Sequence, residues 1–380
     1  MREHTHPNSG RGKRVLITGG AGFVGSHLAD ELLCHGYQVR AMDSLDCQVH
    51  GQPARPDYLS SEVELVHGDI RDAQAVRRAL EGVDAVYHLA ALVGVGQSMY
   101  EIERYTDVNN RGTAVLLEAI VERPVERLIV ASSMSLYGEG AYVDAQGARA
   151  LGTERTRAQL EARQWEVRDA SGQVLAPAPT PEEKPPALAS VYALSKYDQE
   201  RLCLITARAY GFSATALRFF NIYGTRQALS NPYTGVLAIF ASRFLNDRPP
   251  LVNEDGFQQR DFVAVEDVAR ACRLALEVAE ADGEVFNIGS GQPQTVLSIA
   301  SQMAQVLGKS IEAEVTGQYR VGDIRHCYAD ISRARRVLGY HPQVELSEGL
   351  EKLAGWLEGQ SAEDRVEAAK AELEKRGLTV

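Results

Sequence analysis

The stretch RVLITGGAGFVG, residues 14–25, predicts a strand that ends in a glycine-rich turn and leads into a helix. The strand is predicted by its apolar, partly β-branched residues, and the helix by the apolar spacing that starts at Phe23. Gly19, Gly22 and Gly25 have the spacing of a dinucleotide-binding turn. There the glycines permit the tight turn, let a pyrophosphate approach the backbone and let the helix pack against the strand. The phosphates then lie at the positive end of the helix.

Asp43 ends the next predicted strand, residues 39–43, about 20 residues beyond the glycine turn, where a ribose-binding carboxylate is expected. Such a carboxylate accepts hydrogen bonds from ribose hydroxyls and repels a 2′-phosphate. Asp43 therefore predicts NAD rather than NADP as the cofactor. Arg40, inside the same strand, does not reverse that choice.

Alternating strands and helices predict an α/β fold with a doubly wound parallel Rossmann sheet. Further strands are expected at residues 63–69, 84–91, 127–132 and 214–219, and helices at 72–80, 106–123 and 190–210. After the sixth strand the alternation becomes irregular, which is typical of a smaller C-terminal substrate-binding α/β lobe. The predicted units are an NAD-binding Rossmann domain (13–220) with an insertion at about 139–189, a mainly substrate-binding lobe (221–360) and a charged C-terminal helix (361–380).

The composition is that of an ordinary globular protein of 380 residues, with 44% hydrophobic residues and a formal charge of −11. Without a basic block, this charge argues against nucleic acid or an anionic membrane as a partner. The five cysteines are scattered and form no C-x-x-C pair, so we expect reduced thiols, no metal site and a cytoplasmic location. Residues 1–12 are expected to be a solvated tail, and no apolar run reaches the roughly 18 residues of a membrane-spanning helix.

Tyr192 and Lys196 are four residues apart on a predicted helix, so they lie on one face about one turn apart. A phenol with a pKa of about 10 is a weak base at neutral pH, but a neighbouring ammonium group and a positive nicotinamide ring favour its anion. Ser133 follows the fifth predicted strand and can hydrogen-bond the same substrate oxygen. The three residues predict a centre where Tyr192 takes a hydroxyl proton while hydride leaves the carbon that bears the hydroxyl.

With these motifs, four short sequences make the chain resemble the extended short-chain dehydrogenase/reductase family over about residues 13–358. They are HLAA (88–91), SS (132–133), RFFN (218–221) and RDFV (260–263). Within that family the chain is similar to the NAD-dependent nucleotide-sugar epimerases and dehydratases, and in particular to nucleotide-sugar 4-epimerases. The resemblance implies NAD as cofactor and a nucleotide-diphosphate sugar as substrate.

The resemblance also implies three groups of site residues. The implied catalytic residues are Ser133, Tyr192 and Lys196. The residues implied to bind the cofactor are Gly19, Gly22, Phe23, Val24, Gly25, Asp43, Asp69, Ile70, Leu89, Ala90, Ala91, Asn109, Tyr192 and Lys196. The residues implied to bind the substrate are Val93, Ser133, Ser135, Tyr192, Asn221, Arg226, Arg260, Arg320 and Asp323. Arginines suit a diphosphate because the planar guanidinium group forms paired hydrogen bonds with it.

Met134 and Ser135 distinguish between the reactions of this family. Its dehydratases carry Asp-Glu at these two positions, because the loss of water needs an acid and a base beside the ring. Neither Met134 nor Ser135 can fill those roles, which favours a 4-epimerase that works through a transient 4-keto sugar. A 4-ketoreductase would share the same residues, and a non-catalytic NAD-sensing protein could keep the same fold.

Residues 93–99 are similar to those of epimerases that act on TDP-6-deoxyhexoses such as TDP-L-rhamnose, and UDP-hexoses are the competing substrates. Relatives pair the helices predicted at 106–123 and 190–210 across a two-fold axis, which implies a homodimer. The insertion is expected to cover the sugar pocket because its two ends adjoin Ser133 and Tyr192, with Trp165 as its anchor. The charged residues 361–380 are expected to form a solvated helix.

Overall fold

The computed structural model describes residues 12–320 and 322–379, which form sixteen strands and fourteen α-helices. The strands are β1 (Arg14–Thr18), β2 (Gln38–Asp43), β3 (Glu64–His67), β4 (Ala85–His88), β5 (Arg127–Ser133), β6 (Ala141–Val143), β7 (Arg149–Ala150), β8 (Ala176–Ala178), β9 (Ser213–Phe219), β10 (Asn221–Tyr223), β11 (Leu251–Val252), β12 (Gln259–Ala264), β13 (Val285–Ile288), β14 (Pro293–Thr295), β15 (Glu314–Val315) and β16 (His326–Cys327). The helices are α1 (Phe23–Cys34), α2 (Cys47–His50), α3 (Ala73–Ala79), α4 (Val95–Ser98), α5 (Ile102–Tyr105), α6 (Gly112–Glu122), α7 (Arg157–Glu161), α8 (Val191–Tyr210), α9 (Val236–Leu245), α10 (Val265–Glu277), α11 (Val296–Val306), α12 (Ser332–Leu338), α13 (Leu346–Leu357) and α14 (Val366–Lys375).

Seven parallel strands form the central sheet, in the order β13-β9-β5-β4-β1-β2-β3. Because the strand order runs outward in two directions from β1 and β4, the loops at the carboxyl ends of these strands diverge and leave a crevice. Ligands of doubly wound sheets bind in this crevice. The sheet confirms the α/β Rossmann architecture that the sequence predicted.

Side chains of the central strands alternate between two hydrophobic layers. Leu16 of β1 packs with α3, α6 and α8 on one face of the sheet, whereas Val15 and Ile17 pack with α1 and α10 on the other. All three side chains are fully buried. Apolar burial contributes about 25 cal/mol per Å², so these two layers are the main source of stability and hold the strand ends in place.

A smaller lobe contains a second sheet, formed by β10, β12, β14 and β16, with α9, α11 and α13 packed around it. Part of the chain beyond residue 220, the boundary expected from the sequence, returns to the central sheet. Helix α10 packs on α1, and β13 pairs with β9 at the edge of the central sheet. Residues 265–288 therefore belong to the layers of the central sheet rather than to the smaller lobe.

The insertion, residues 139–189, is a folded unit. Strands β7, β6 and β8 form an antiparallel sheet, and α7 follows β7. Tyr142 lies in one small hydrophobic core of this unit. Trp165 packs with Leu160 and with Tyr319 in a second core. Trp165 is thus buried, and its ring lies 6.5 Å from that of Tyr319, which follows β15 of the smaller lobe.

Two helices differ in extent from the prediction. The helix predicted at residues 106–123 begins earlier, with α5, and a π-helical turn (Thr106–Arg111) joins α5 to α6. Helix α14 occupies only the middle of the predicted 361–380 helix. Residues 1–11 of the expected tail, and residue 380, lie outside the described residues. Among the described helices, none combines the length and the apolar character needed to cross a membrane.

Candidate active site

The glycine turn between β1 and α1 forms one side of the crevice. Gly19 has a φ of 70°, which favours glycine, and its N–H donates to the Met42 carbonyl at 2.8 Å. At Gly25 a Cβ atom would lie 2.3 Å from the Gly19 carbonyl oxygen, so only glycine lets α1 approach this closely. Helix α1 starts at Phe23 without a side-chain cap, and Gly22 to Gly25 line the cavity. This positive helix end suits a pyrophosphate.

Asp43 lies at the carboxyl end of β2, beside the glycine turn. Its Oδ2 accepts a hydrogen bond from the Ala21 N–H at 3.0 Å, and its Oδ1 accepts one from the Leu45 N–H at 2.9 Å. These bonds fix the carboxylate at the cavity wall. Arg40 points away and donates to the Ala79 carbonyl at 2.8 Å. The wall therefore presents a carboxylate to a ribose, which fits NAD.

Asp69 lies beyond β3 at the same edge of the sheet. Arg71 donates to both of its oxygens, at 2.9 and 2.5 Å, and this lowers the pKa of Asp69. Arg71 also pairs with Asp107 at 2.6 Å, so its charge is shared by two carboxylates. Other residues expected at the cofactor line the cavity beside Asp69 and the glycine turn: Phe23, Val24, Ile70, Leu89, Ala90 and Ala91.

Tyr192 lies in the first turn of α8, which Ser190 caps by accepting a hydrogen bond from the Ala193 N–H at 3.1 Å. Ser133, the last residue of β5, accepts hydrogen bonds from the Ser135 N–H at 3.2 Å and from the Ser135 hydroxyl at 2.9 Å. Burial raises the pKa of Tyr192 to about 12, and the nearby Ser133 hydroxyl opposes that rise. The ammonium group of Lys196 does not overcome the burial. In the chain without NAD, the pKa of Tyr192 is therefore raised rather than lowered, contrary to the prediction.

Lys196, one turn after Tyr192, is held by a buried hydrogen-bond network. Its Nζ donates to Gln199 Oε1 at 2.7 Å, and Gln199 Nε2 donates to Thr113 Oγ1 at 2.9 Å. Burial lowers the pKa of Lys196 to about 8. Burial and the Lys196 charge lower the pKa of His88 to about 3, so His88, 3.1 Å from Gln199, is a neutral member of the network. Gln199 was not predicted from the sequence, although it is a polar residue on the inward face of α8.

Glu200, one turn after Lys196, joins α8 to the central sheet. Its carboxylate accepts two hydrogen bonds from Arg218 of β9, at 2.7 and 2.9 Å, and a third from Ser132 at 2.7 Å. This buried ion pair was not predicted from the sequence either. Because its hydrogen bonds are satisfied, the pair holds α8, and with it Tyr192, in one position on the sheet.

A continuous cavity of about 740 Å³ runs from the glycine turn past Tyr192 into the smaller lobe. Its far half is lined by side chains with buried polar atoms that have no hydrogen-bond partner in the described chain: Asn221 Oδ1, Gln227 Oε1, Gln258 Oε1, Gln318 Oε1 and Arg320 Nε. Such atoms destabilise a protein unless a ligand pairs with them. The amides can accept or donate, so this half fits a ligand rich in hydroxyl and phosphate groups.

Arg260, Arg320 and Asp323 also line the far half of the cavity. Arg260 donates to the Ile324 carbonyl and lies 3.5 Å from the Asp323 carboxylate. Helix α9 begins at Val236, which lines the same half, without a side-chain cap. A free helix N-terminus and two guanidinium groups together suit a diphosphate.

Asn109 and Arg226 are the two expected site residues that do not line the cavity. Asn109 Nδ2 donates to Ser195 Oγ at 3.0 Å, and its Oδ1 accepts from the Leu92 N–H at 2.8 Å. Asn109 therefore positions the loop after β4 and helix α8. Arg226 pairs instead with Asp30 at 2.8 Å. All other expected residues line the cavity, including Val93, Ser133, Ser135, Tyr192 and Lys196.

The insertion, residues 139–189, does not cover the cavity, since none of its residues lines it. This differs from the expectation that the insertion is a lid. Its charged side chains reach the smaller lobe instead: Arg155 pairs with Glu254 at 2.8 Å, and Glu166 pairs with Arg325 at 2.5 Å. Arg325 is fully buried and also pairs with Glu254 at 2.9 Å. Residues on both sides of Glu254 line the cavity, so the insertion supports that wall from behind.

The C-terminal helix α14 lines the cavity, contrary to the expected solvated helix. Its contributing residues, with one from the chain beyond it, are Val366, Ala369, Lys370, Leu373 and Thr379. Ala369 and Leu373 are buried. Burial of an apolar residue on each of two successive turns explains why a helix with so many charged residues packs here.

Known proteins are similar to this chain in sequence and in fold. The dTDP-L-rhamnose 4-epimerase of Burkholderia thailandensis is 37% identical over 351 residues, which cover 91% of this chain and 95% of that protein. The structure of UDP-glucose 4-epimerase from Thermotoga maritima with UDP-glucose superposes with a TM-score of 0.75 at 32% identity, covering 91% of this chain and 98% of that one. UDP-glucuronic acid 4-epimerase from Bacillus cereus, in complex with UDP-glucuronic acid and NAD, has a TM-score of 0.74 at 28% identity, covering 91% and 99%.

The family model described as the NAD dependent epimerase/dehydratase family matches residues 15–159 and 170–289 of the chain. The matched stretches contain the glycine turn, Asp43, Ser133, Tyr192 and Lys196. The interruption between them falls within the insertion. The chain belongs to the NAD-dependent epimerase/dehydratase family, as its motifs predicted, and its cofactor is NAD.

Proposed function

We propose that the protein is a nucleotide-diphosphate-sugar 4-epimerase, which oxidises the sugar at C4 and reduces the transient 4-keto sugar from the opposite face. The observation that carries this proposal is the set of groups beside Ser133. Its neighbours in the cavity wall, Met134 and Ser135, supply neither a carboxylic acid nor a base. The carboxylates that line the described cavity are Asp43, Asp46, Asp69 and Asp323.

These four carboxylates lie away from Ser133. Asp43 and Asp69 follow β2 and β3 at the cofactor end, and Asp46 pairs with Arg104 at 2.9 Å. Asp323 lies near Arg260 in the far half. Tyr192 is therefore the acid and base at the sugar, which is enough for reversible oxidation but not for the loss of water.

In this mechanism Tyr192 takes the proton of the C4 hydroxyl and later returns a proton to the 4-keto oxygen. Ser133 lines the cavity beside Tyr192 and is placed to hydrogen-bond the same oxygen. NAD, when bound, supplies a hydride acceptor and donor and a positive ring that favours the phenolate. Lys196, fixed by Gln199, adds a positive charge on the same helix face. Because burial raises the pKa of Tyr192 to about 12, the phenol of the chain alone carries its proton.

The proposed substrate is a TDP-6-deoxyhexose such as TDP-L-rhamnose, with UDP-hexoses as the second class. The Burkholderia relative, which is named for dTDP-L-rhamnose, supports the first class. Met134, next to Ser133 in the cavity wall, is an apolar neighbour suited to the methyl group of a 6-deoxyhexose rather than to a carboxylate. The structural relatives are named for UDP-sugars and support the second class.

The test is to incubate the purified protein, without added NAD, with TDP-L-rhamnose, UDP-glucose and UDP-glucuronic acid, and to follow inversion at C4 by NMR. We expect one substrate to reach an equilibrium of two C4 epimers, with NAD retained by the protein. Stoichiometric NADH with a released keto sugar would instead indicate a 4-ketoreductase. Retained NAD without turnover of any sugar would indicate an NAD-sensing protein.

We also propose a homodimer formed through α8 and the helical segment that includes α5 and α6. Leu194, Leu202 and Ile205 of α8 are 47%, 36% and 57% exposed. Positions eight and eleven residues apart share one helix face, so these side chains form an apolar stripe suited to a helix bundle. The expected result is a dimer mass in solution at micromolar concentration and a monomer mass for Ile205→Glu. A monomer mass for the wild-type protein would refute the dimer.

A cytoplasmic location is the last part of the proposal. All five cysteines have free thiols, two of them exposed, which suits a reducing compartment. Fractionation of the cells that produce the protein tests this, and recovery outside the cytoplasm would contradict it.

A further inference from the structure

The C-terminal segment, residues 361–379, is held to the smaller lobe by polar contacts, one of which is a buried ion pair. Arg243 of α9 donates to Asp364 at 3.2 Å and to Glu367 at 2.9 Å, and the Arg243 and Asp364 side chains are only 4% and 3% exposed. Asn246, just after α9, donates to the Ala362 carbonyl at 2.9 Å. A buried ion pair that has lost one partner is strongly destabilising. The segment is therefore an integral part of the lobe.

The residues of α14 that line the cavity follow a helical repeat. Val366, Ala369, Lys370 and Leu373 are at positions i, i+3, i+4 and i+7, which form one face of a helix. Lys375, at i+9, is exposed on a different face. One face of α14 therefore lines the cavity over two turns, and the contact is not limited to the end of the helix.

The same segment extends along the substrate half of the cavity. Leu373 Cδ1 would lie 3.4 Å from a Cβ atom at Gly96, so it packs directly against that glycine of α4. The guanidinium group of Arg376 lies 4.4 Å from the centre of the Tyr100 ring. At the other end, Thr379 forms a β-bridge with Arg320. The segment thus reaches from Gly96 of α4 to the backbone of Arg320 in the far half.

We propose that residues 361–379 form a wall of the substrate site, with Leu373 as a specificity-determining residue that limits the size of the bound sugar. The proposal deepens the proposed function and rests on it for the identity of the ligand. Leu373 and Gly96 pack against each other at the cavity wall, so the Leu373 side chain occupies space that a bulkier sugar substituent would need. Shortening Leu373 enlarges that space and leaves the glycine turn and the Tyr192 centre untouched.

The first experiment compares Leu373→Ala with Lys375→Ala, a control on the exposed face of the same helix. The readout is the ratio of kcat/KM for a sugar with a 2-acetamido group to that for the parent sugar. We expect Leu373→Ala to raise the ratio about tenfold or more, since a change of a methylene group or two in a pocket has roughly this effect. The control should keep the wild-type ratio, and both variants should retain wild-type amounts of NAD. An unchanged ratio, or an equal loss with both sugars, overturns the proposal.

The second experiment does not depend on turnover. Binding of dTDP and of UDP is measured calorimetrically for the full chain and for a variant that ends at residue 360. We expect weaker nucleotide binding by the shortened chain, with NAD content unchanged. Equal affinities in the two proteins would overturn the proposal that this segment forms a wall of the site, whichever reaction the protein catalyses. If the wild-type protein turns over no sugar but the shortened chain binds nucleotide less tightly, the proposed function fails and the wall stands. If the shortened chain does not fold, the full-length Leu373→Ala variant takes its place. Weaker nucleotide binding or a raised kcat/KM ratio then supports the wall, and wild-type values of both overturn it.

Discussion

The insertion, residues 139–189, and the C-terminal segment, residues 361–379, both pack on the smaller lobe but contribute differently to the cavity. The insertion adds no side chain to the cavity and holds the lobe through ion pairs of Arg155 and Glu166. The C-terminal segment turns a helical stripe into the cavity. One region supports a wall from behind, and the other forms a wall. Loss of either region should therefore weaken nucleotide binding, whereas only changes in the C-terminal segment should alter sugar selectivity.

The largest effect is expected at the catalytic centre, and the effects in the two regions are compared with it. Tyr192→Phe removes the acid and base oxygen, so kcat should fall by roughly 10²–10⁴-fold. NAD content and the melting temperature should stay at wild-type values, because the ring still packs in place. Steady-state kinetics with the substrate identified by NMR measures the change. A near-normal rate would show that another group transfers the proton.

The next largest effect is expected for the buried charges that tie the insertion to the lobe. Arg325→Met leaves the carboxylates of Glu166, Glu254 and Asp255 without their shared cation. Loss of one partner of a buried ion pair costs about 3–5 kcal/mol, and urea unfolding measures it. Arg157→Ala, which removes an exposed pair on α7, is the matched control. Equal unfolding free energies for the two variants would show that the insertion is not held by these charges.

A smaller effect, and one that separates the two regions, is expected when residues 145–180 are replaced by a short Gly/Ser linker. The loops around Glu254 then lose their support, and nucleotide affinity should fall by about tenfold, or 1.4 kcal/mol, because the loops must be ordered on binding. The ratio of kcat/KM for the two sugars should not change, in contrast to Leu373→Ala. A changed ratio with unchanged nucleotide affinity would restore the interpretation of the insertion as a lid.

The smallest effect is expected in the pH dependence of stability. The hydrogen bond from His326 and the neighbouring Arg325 lower the pKa of Glu166 to about 2, below the value of about 4.3 for an unfolded chain. The stability that Glu166 adds is therefore fully present above pH 4.3 or so, and it is lost as the pH falls through about 2. The difference in unfolding free energy between wild type and Glu166→Gln should shrink as the pH is lowered from 6 to 3, as measured by urea unfolding. A difference that is independent of pH would contradict the pairing.

Local patterns in the sequence were sufficient to predict the glycine turn, the place of Asp43 at a strand end and the placement of Tyr192 and Lys196 on one helix. Each depends on a strand, a turn or a single helix turn, so spacing along the chain determines the geometry. The family match confirms the family that these motifs predicted. The residues themselves lie along the cavity as the sequence led us to expect.

The two outer regions could not be placed in this way, because their partners are distant in the sequence. The ends of the insertion adjoin Ser133 and Tyr192. Its body, however, pairs with Glu254, 99 residues beyond Arg155, and with Arg325, 159 residues beyond Glu166. Half of the residues of α14 are charged, so the sequence resembled a solvated helix. Gln199 was missed for a similar reason, since its role depends on Thr113 from another helix.

The β-bridge between Thr379 and Arg320 has a practical consequence for handling the protein. A peptide fused after residue 380 would begin within two residues of Thr379, which lines the far half of the cavity beside Arg320. We therefore expect an affinity tag at that end to alter apparent binding constants. Tags and fluorescent labels are better placed at the N-terminus when affinities are measured.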